Sequence, residues 1–206
     1  MARPREFNTD EAMTRIADVF WGAGFEPTSI TDLEEATGLA RARLYAAFGT
    51  KHDMLYRSID HYLEGPLEMV FRTVDDGGLD GISGWFRRIA QLRATAPERA
   101  LKGCLVVNSL VEFGDTDPEI NQRGDRYRAR VLHAFRSALE AAEQDGVITG
   151  DVEERTNVAL LLLLGIFVSI KSGAEAATIT ALADAAVSVV ESWRLEPSNR
   201  YSARTI

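Results

Sequence analysis

The sequence predicts an all-α protein: nine helices in two parts, a three-helix head followed by a larger helical bundle. Three observations point to this class. Apolar residues recur at three- and four-residue spacing along most of the chain. Helix formers dominate, and β-branched residues rarely alternate with polar ones. The sixteen glycines and six prolines fall mostly between the periodic stretches, as helix punctuation does. At 206 residues and 46% apolar content, the chain can form one large domain, or a small one joined to a larger one, around a sizeable core.

The first helix is expected from about Thr9 to Trp21. Asn8 and Glu11 have capping-box spacing, and Ala12, Ile16, Val19, Phe20 and Ala23 share a face. Ser29 or Thr28 caps a short second helix, about Ile30 to Thr37, with Asp32 in its positive first turn. Gly38 breaks it. A third helix, about Arg41 to Phe48, has Leu44 and Phe48 as its buried pair. A long fourth helix runs from Lys51 to about Val74, kinked where Gly65 and Pro66 interrupt it. "DDGGLDG", residues 75–81, reads as a loop. Helix five follows from about Ile82 to Thr95, and helix six from about Glu98 to Phe113. Asp117-Pro118 starts a seventh reaching about Gln144. The eighth runs from about Glu153 to Ser172 and the ninth from about Ala176 to Leu195. The expected division is a head at 1–50, a second domain at 51–195 and a disordered tail at 196–206.

The chain carries a net charge of −8, spread as −2 over residues 1–51 and −6 over the rest. Residues 38–57 gather cations around the helix-turn-helix: Arg41, Arg43, Lys51 and Arg57 against Asp53, a net of +3. Arg3 and Arg5 add a basic arm. A nucleic-acid partner would therefore be met by a local footprint. The most apolar run, Val158 to Ile170, is thirteen residues, short of the roughly 20 that a membrane span needs. No signal peptide is visible, and the single cysteine, Cys104, fits a reducing cytoplasm.

Residues 28–51 read helix, glycine turn, short helix: a helix-turn-helix whose second helix can enter the DNA major groove. With Leu44 and Phe48 buried, Arg41, Ala42, Tyr45 and Ala46 lie outward. Arginine can fork onto a guanine edge or a phosphate, and Tyr45 can donate to a phosphate. The two alanines let the helix approach the bases closely. Lys51, and Thr28 or Ser29, stand at helix starts that favour phosphate. Arg43 is either a phosphate clamp or merely exposed. The expected DNA-binding set is Thr28, Ser29, Arg41, Ala42, Arg43, Tyr45, Ala46 and Lys51.

On these residues the chain resembles the TetR family of bacterial transcriptional regulators. Gly24-Phe25, Thr28-Ser29-Ile30, Asp32-Leu33, Gly38, Leu44-Tyr45, Phe48 and Lys51 match its N-terminal signature without a gap. The resemblance implies a repressor that acts as a homodimer on a palindromic double-stranded DNA operator and is released by a small-molecule effector in a C-terminal pocket. Three positions depart from the family pattern. Ala40 stands where Ser, Thr or Asn often caps the third helix, Ala47 where histidine is frequent, and Glu34 where alanine is common.

Helix eight, "NVALLLLLGIFVSI", is apolar nearly all round, and helix nine repeats small residues. Paired with a second copy they would form a four-helix bundle through Leu160, Leu164, Phe167, Ala181, Ala185, Val189 and Trp193. Helices four to seven would enclose the effector, with Tyr62, Trp85, Cys104, Asn108, Tyr127, His133 and Phe167 as candidate lining. "KGCLVVNSLVEFG" also resembles the sixth-helix region of a TetR subgroup that includes the electrophile-sensing repressor of N-ethylmaleimide reductase. There the cysteine matching Cys104 is the sensing thiol; a plain buried cysteine is the alternative. No metal-ligand spacing, nucleophile turn or phosphate loop is present. We therefore expect no enzyme activity, no metal and no cofactor. The alternative is a helical small-molecule-binding or redox-sensing protein, acting through Cys104, that binds no operator.

Overall fold

The computed structural model describes residues 7–95 and 102–196. Within them the helices are α1 (Thr9–Ala23), α2 (Ile30–Thr37), α3 (Arg41–Phe48), α4 (Lys51–Tyr62), a π-helical turn (Leu63–Leu67), α5 (Glu68–Asp75), α6 (Gly78–Thr95), α7 (Leu105–Phe113), α8 (Pro118–Gln144), α9 (Val152–Lys171) and α10 (Ala176–Glu191). With α4, the π turn and α5 counted as one helix, the described residues hold nine helices. Their only sheet-like pairing is an isolated bridge between Ile148 and Arg194. The basic arm and the tail beyond residue 196 lie outside the described residues.

The chain forms two compact units. The first comprises residues 1–66 and 104–124; the second comprises residues 67–103 and 125–206. Compactness thus groups α4, α7 and the start of α8 with the head, where the sequence suggested a break at residue 50.

In the first unit α1 packs against α4, α2 and α7, and α4 also packs on α7. Ile16, Phe20, Leu33, Leu44, Phe48, Met54, Leu55 and Ile59 are buried at its centre. Asn8 caps α1 through its side-chain oxygen, which accepts from the amides of Asp10 (3.0 Å) and Glu11 (3.2 Å). The Glu11 side chain bonds Arg15 instead of closing the box. Asp117 caps α8, accepting from Glu119 and Ile120, and its other oxygen takes the Tyr56 hydroxyl at 2.8 Å. Burial, and then this hydrogen bond, push the Tyr56 phenol up to about 12.

In the second unit α6 lies along α10 and against α5, and α9 packs on α10. Arg130 of α8 reaches both ends of α5: Glu68 at 2.9 Å and Asp75 at 2.7 Å, with its guanidinium 4.6 Å from the Phe71 ring centre. The Arg130 bonds come first among the causes that hold the Glu68 carboxyl below its usual range.

Three boundaries differ from expectation. The expected kink at Gly65-Pro66 is a π turn. Proline has no N–H for the carbonyl four residues back and its ring clashes there, so a wider turn absorbs the fault. Helix five starts at Gly78, inside the expected loop. A Cβ on Gly81 would come within 2.9 Å of the carbonyl oxygens of Thr73 and Val74, and one on Gly77 within 2.6 Å of the Gly81 Cα. These glycines therefore permit close backbone packing as well as a turn. Helix six starts at Leu105: Gly103 takes φ 68° and Cys104 is the N-cap residue with extended backbone. The expected start at Glu98 lies outside the described residues. No described helix is long and apolar enough to cross a membrane.

Candidate nucleic-acid interface

Leu44 and Phe48 are fully buried and hold α3 against the first unit. Helical geometry then turns Arg41, Ala42, Tyr45 and Ala46 outward together, all exposed, with Tyr45 at 44%. The arrangement is the expected one. Beside it, the Arg43 guanidinium lies 4.7 Å from the Phe7 ring centre, and Phe7 meets Phe48 edge-on at 6.1 Å. Arg43 is therefore half-buried along the flank of α3 rather than loose in solvent.

Both flanking helix starts are built from capping boxes. Ser29 Oγ accepts from the Asp32 amide at 3.2 Å, while Asp32 accepts from the Ser29 amide at 2.6 Å. Thr50 and Asp53 repeat the pattern at α4, at 3.2 and 2.7 Å. The Ser29 amide and hydroxyl hold the Asp32 carboxyl below its usual range. At Asp53 the Thr50 hydroxyl leads and the Thr50 amide follows. Both carboxyls are thus ionised at neutral pH. Lys51 sits at the start of α4 with its ammonium 4.2 Å from the Phe25 ring centre. Arg57, the fourth cation of the footprint, turns back to donate to the Ala47 carbonyl at the end of α3, at 3.0 Å.

Thr28 does not share this surface. It is 2% exposed, and its hydroxyl donates to the Gly24 carbonyl at 2.6 Å, tightening the turn between α1 and α2. Only Ser29 of that pair faces solvent.

Two connections have no counterpart in the sequence pattern. Ala40 supplies no cap, but the Glu34 carboxylate does: it crosses from α2 to accept from the Arg41 amide at 2.7 Å, with the Arg41 guanidinium 3.8 Å away. Two of the departures from the family pattern are therefore one compensated change. Glu34→Ala is expected to cost about 1 kcal/mol, the usual worth of an N-cap, and Ala40→Ser in that background to restore most of it. Thermal unfolding of wild type, Glu34→Ala and the double variant measures this; no rescue in the double variant would assign the loss to something other than the cap. The second connection is Glu112, near the end of α7. Its oxygens accept from the Phe25 amide at 2.9 and 3.0 Å and from the Glu26 amide at 2.8 Å.

The other expected sites are placed as follows. In the first unit Tyr62, Cys104 and Asn108 are buried, and the Tyr62 hydroxyl lies 3.9 Å from the Cys104 sulfur. Full burial denies the thiol the access that a reactive cysteine needs in this conformation. In the second unit Tyr127 is fully buried and Trp85 packs on Phe71 and Phe135 at 5.5 and 5.4 Å. His133, by contrast, is exposed on α8.

The expected dimer residues are only partly outward. Ala181 and Ala185 are exposed; Leu160, Leu164, Val189 and Trp193 are half-buried; Phe167 is buried. The outward stripe of α9 is instead Asn157, Leu161, Gly165 and Val168. A helix apolar on every side carries no periodic signal for which residues face out.

No family model matches the chain. Curated relatives do. It is 34% identical over 154 residues, 73% of its length and 78% of the relative's, to the uncharacterized helix-turn-helix-type transcriptional regulator YezE of Bacillus subtilis. Over 62 residues, 30% of each chain, it is 39% identical to the transcriptional repressor ComR of Escherichia coli. The chain is therefore a helix-turn-helix transcriptional regulator. Among solved structures, it is similar to CifR, a TetR family transcriptional regulator complexed as a cysteine mutant with 26-base-pair operator DNA. That match has a TM-score of 0.75 at 26% identity and covers 91% of this chain and 98% of CifR. The reduced form of Escherichia coli NemR shares the fold, with a TM-score of 0.75 at 16% identity, over 93% of this chain and all of NemR's. The chain belongs to the TetR family.

Proposed function

We propose that this protein is a cytoplasmic transcriptional repressor that binds a palindromic operator as a homodimer and is released by a small-molecule effector. Residues 1–50 read the DNA, and residues 51–195 hold the effector and the second subunit. The observation that carries the reading is the outward face of α3, where Arg41, Ala42, Tyr45 and Ala46 stand clear of the anchored Leu44 and Phe48, flanked by Arg43, Lys51 and Ser29. The small alanines bring the helix axis close to base edges, Arg41 and Tyr45 supply polar contacts, and Lys51 meets the backbone. The CifR complex with operator DNA supports the same partner.

Two heads are needed to read a palindrome, roughly 34–36 Å apart on one face of the duplex. The uncharged stripe of α9 and the small, exposed Ala177, Ala181 and Ala185 of α10 support pairing with a second copy. Each head offers Arg41, Arg43 and Lys51, so a dimer neutralises about six phosphates. Affinity is then expected to fall about 10³-fold between 50 and 200 mM salt. Gel shifts with the duplex upstream of the protein's own gene, across that salt range, measure it. The absence of binding to any such duplex at low salt would overturn the repressor reading.

A further inference from the structure

The turn between α1 and α2 precedes the whole reading hairpin and is held locally by the Thr28 hydroxyl on the Gly24 carbonyl and the Thr28 amide on the Phe25 carbonyl. Gly24 takes φ 92°, and Phe25, Glu26 and Pro27 follow before Ser29 caps α2. A second hold on the same backbone comes from far along the chain. Both Glu112 oxygens take the Phe25 amide and one also takes the Glu26 amide. The Phe113 ring, next to Glu112 on α7, lies 5.2 Å from that of Phe25. On its other sides Phe25 meets the His52 ring at 4.4 Å and the Lys51 ammonium at 4.2 Å. A Cβ on Gly24 would sit 3.1 Å from a Glu112 oxygen, so the glycine leaves the carboxylate its room.

We propose that Glu112 is the positioning residue through which α7 sets the reading hairpin, holding the Phe25–Glu26 backbone so that Ser29, α3 and Lys51 stand where the duplex requires them. The proposal rests on the DNA-binding function above and names the residue by which α7 acts on it. A carboxylate accepting backbone amides makes charge-assisted bonds that fail beyond about 3.5 Å. Sliding α7 by one residue, about 1.5 Å, breaks them. Cys104 begins α7 against Tyr62, so the helix has its buried residues at one end and the clasp at the other.

The test is the sign of one substitution. Glu112 is an acidic residue that meets Phe25, as Lys51 does, and by charge alone Glu112→Ala should tighten binding to DNA. A positioning role requires the opposite: operator affinity of the full chain falling about tenfold, with the melting temperature little changed, because the side chain is exposed. Glu112→Gln, which keeps one acceptor oxygen, should fall between. Equal or tighter binding of the upstream duplex by Glu112→Ala overturns the proposal. Amide hydrogen exchange reports on the clasp without DNA: Phe25 and Glu26 should lose protection about tenfold in Glu112→Ala, and unchanged protection overturns it as well. If the wild-type chain binds no duplex, the operator function fails while exchange still decides the clasp.

Discussion

Phe48→Ala is expected to abolish operator binding by releasing the reading helix, at a cost of about 3–5 kcal/mol. Phe48 is fully buried, ends α3 and meets Phe7 edge-on. Truncating such a ring removes its transfer energy and leaves a cavity, which together cost about that much. Whole domains are stable by only about 5–15 kcal/mol, so the first unit would be close to unfolding. The control is Tyr45→Ala, one turn earlier. Tyr45 is 44% exposed, so its loss should move stability by less than about 0.5 kcal/mol while weakening the operator complex. Thermal unfolding by circular dichroism and gel shifts on both variants separate the two roles. A stable, fully active Phe48→Ala protein would mean that α3 is held by something other than its buried pair.

Leu161→Arg is expected to yield monomers and to lower operator affinity by about 10²-fold or more. Leu161 is 67% exposed and Val168, two turns on, is 50% exposed; Leu182 of α10 is 38% exposed. A cation at the centre of an apolar contact is left unpaired and desolvated, at a cost of several kcal/mol. Two linked heads bind about 10²–10⁴-fold more tightly than one, which sets the loss. Sedimentation of wild type and variant at micromolar concentration measures the first effect and gel shifts the second. A wild-type monomer would overturn the homodimer reading, and a dimeric variant would move the subunit contact off this stripe.

The head was the most legible part of the chain because its signals are local. Asn8, Ser29 and Thr50 each cap a helix within three residues of themselves, and the i, i+4 pair Leu44 and Phe48 defines the buried side of α3. The outward group Arg41, Ala42, Tyr45 and Ala46 follows from that pair alone. Thr28 misled because either member of Thr28-Ser29 can cap a helix. Which one does so depends on the tight turn at Gly24, where the Thr28 hydroxyl is spent.

What stayed hidden depended on distant neighbours. Gly77, Gly78 and Gly81 look like a loop, yet α6 begins among them because Gly77 and Gly81 approach backbone that only the folded chain brings near. The start of α7 is set by Gly103 in a left-handed conformation, one residue before a cysteine that the apolar pattern places inside a helix. On α9 a run of leucines gave class without orientation, so the outward stripe fell one residue away from Leu160 and Leu164. Glu112 reaches a turn 86 residues earlier, and no spacing rule covers that distance.

The carboxylate that caps α3 has a practical consequence for anyone building chimaeras of such regulators. Recognition helices invite transplantation, since their outward residues choose the bases. Here the graft could not be α3 alone. Moved without α2 into a scaffold with alanine at the position of Glu34, the helix would arrive with Ala40 at its head and no acceptor for the Arg41 amide. The smallest portable cassette is α2 and α3 together, carrying Glu34 and Arg41 as a single inherited part.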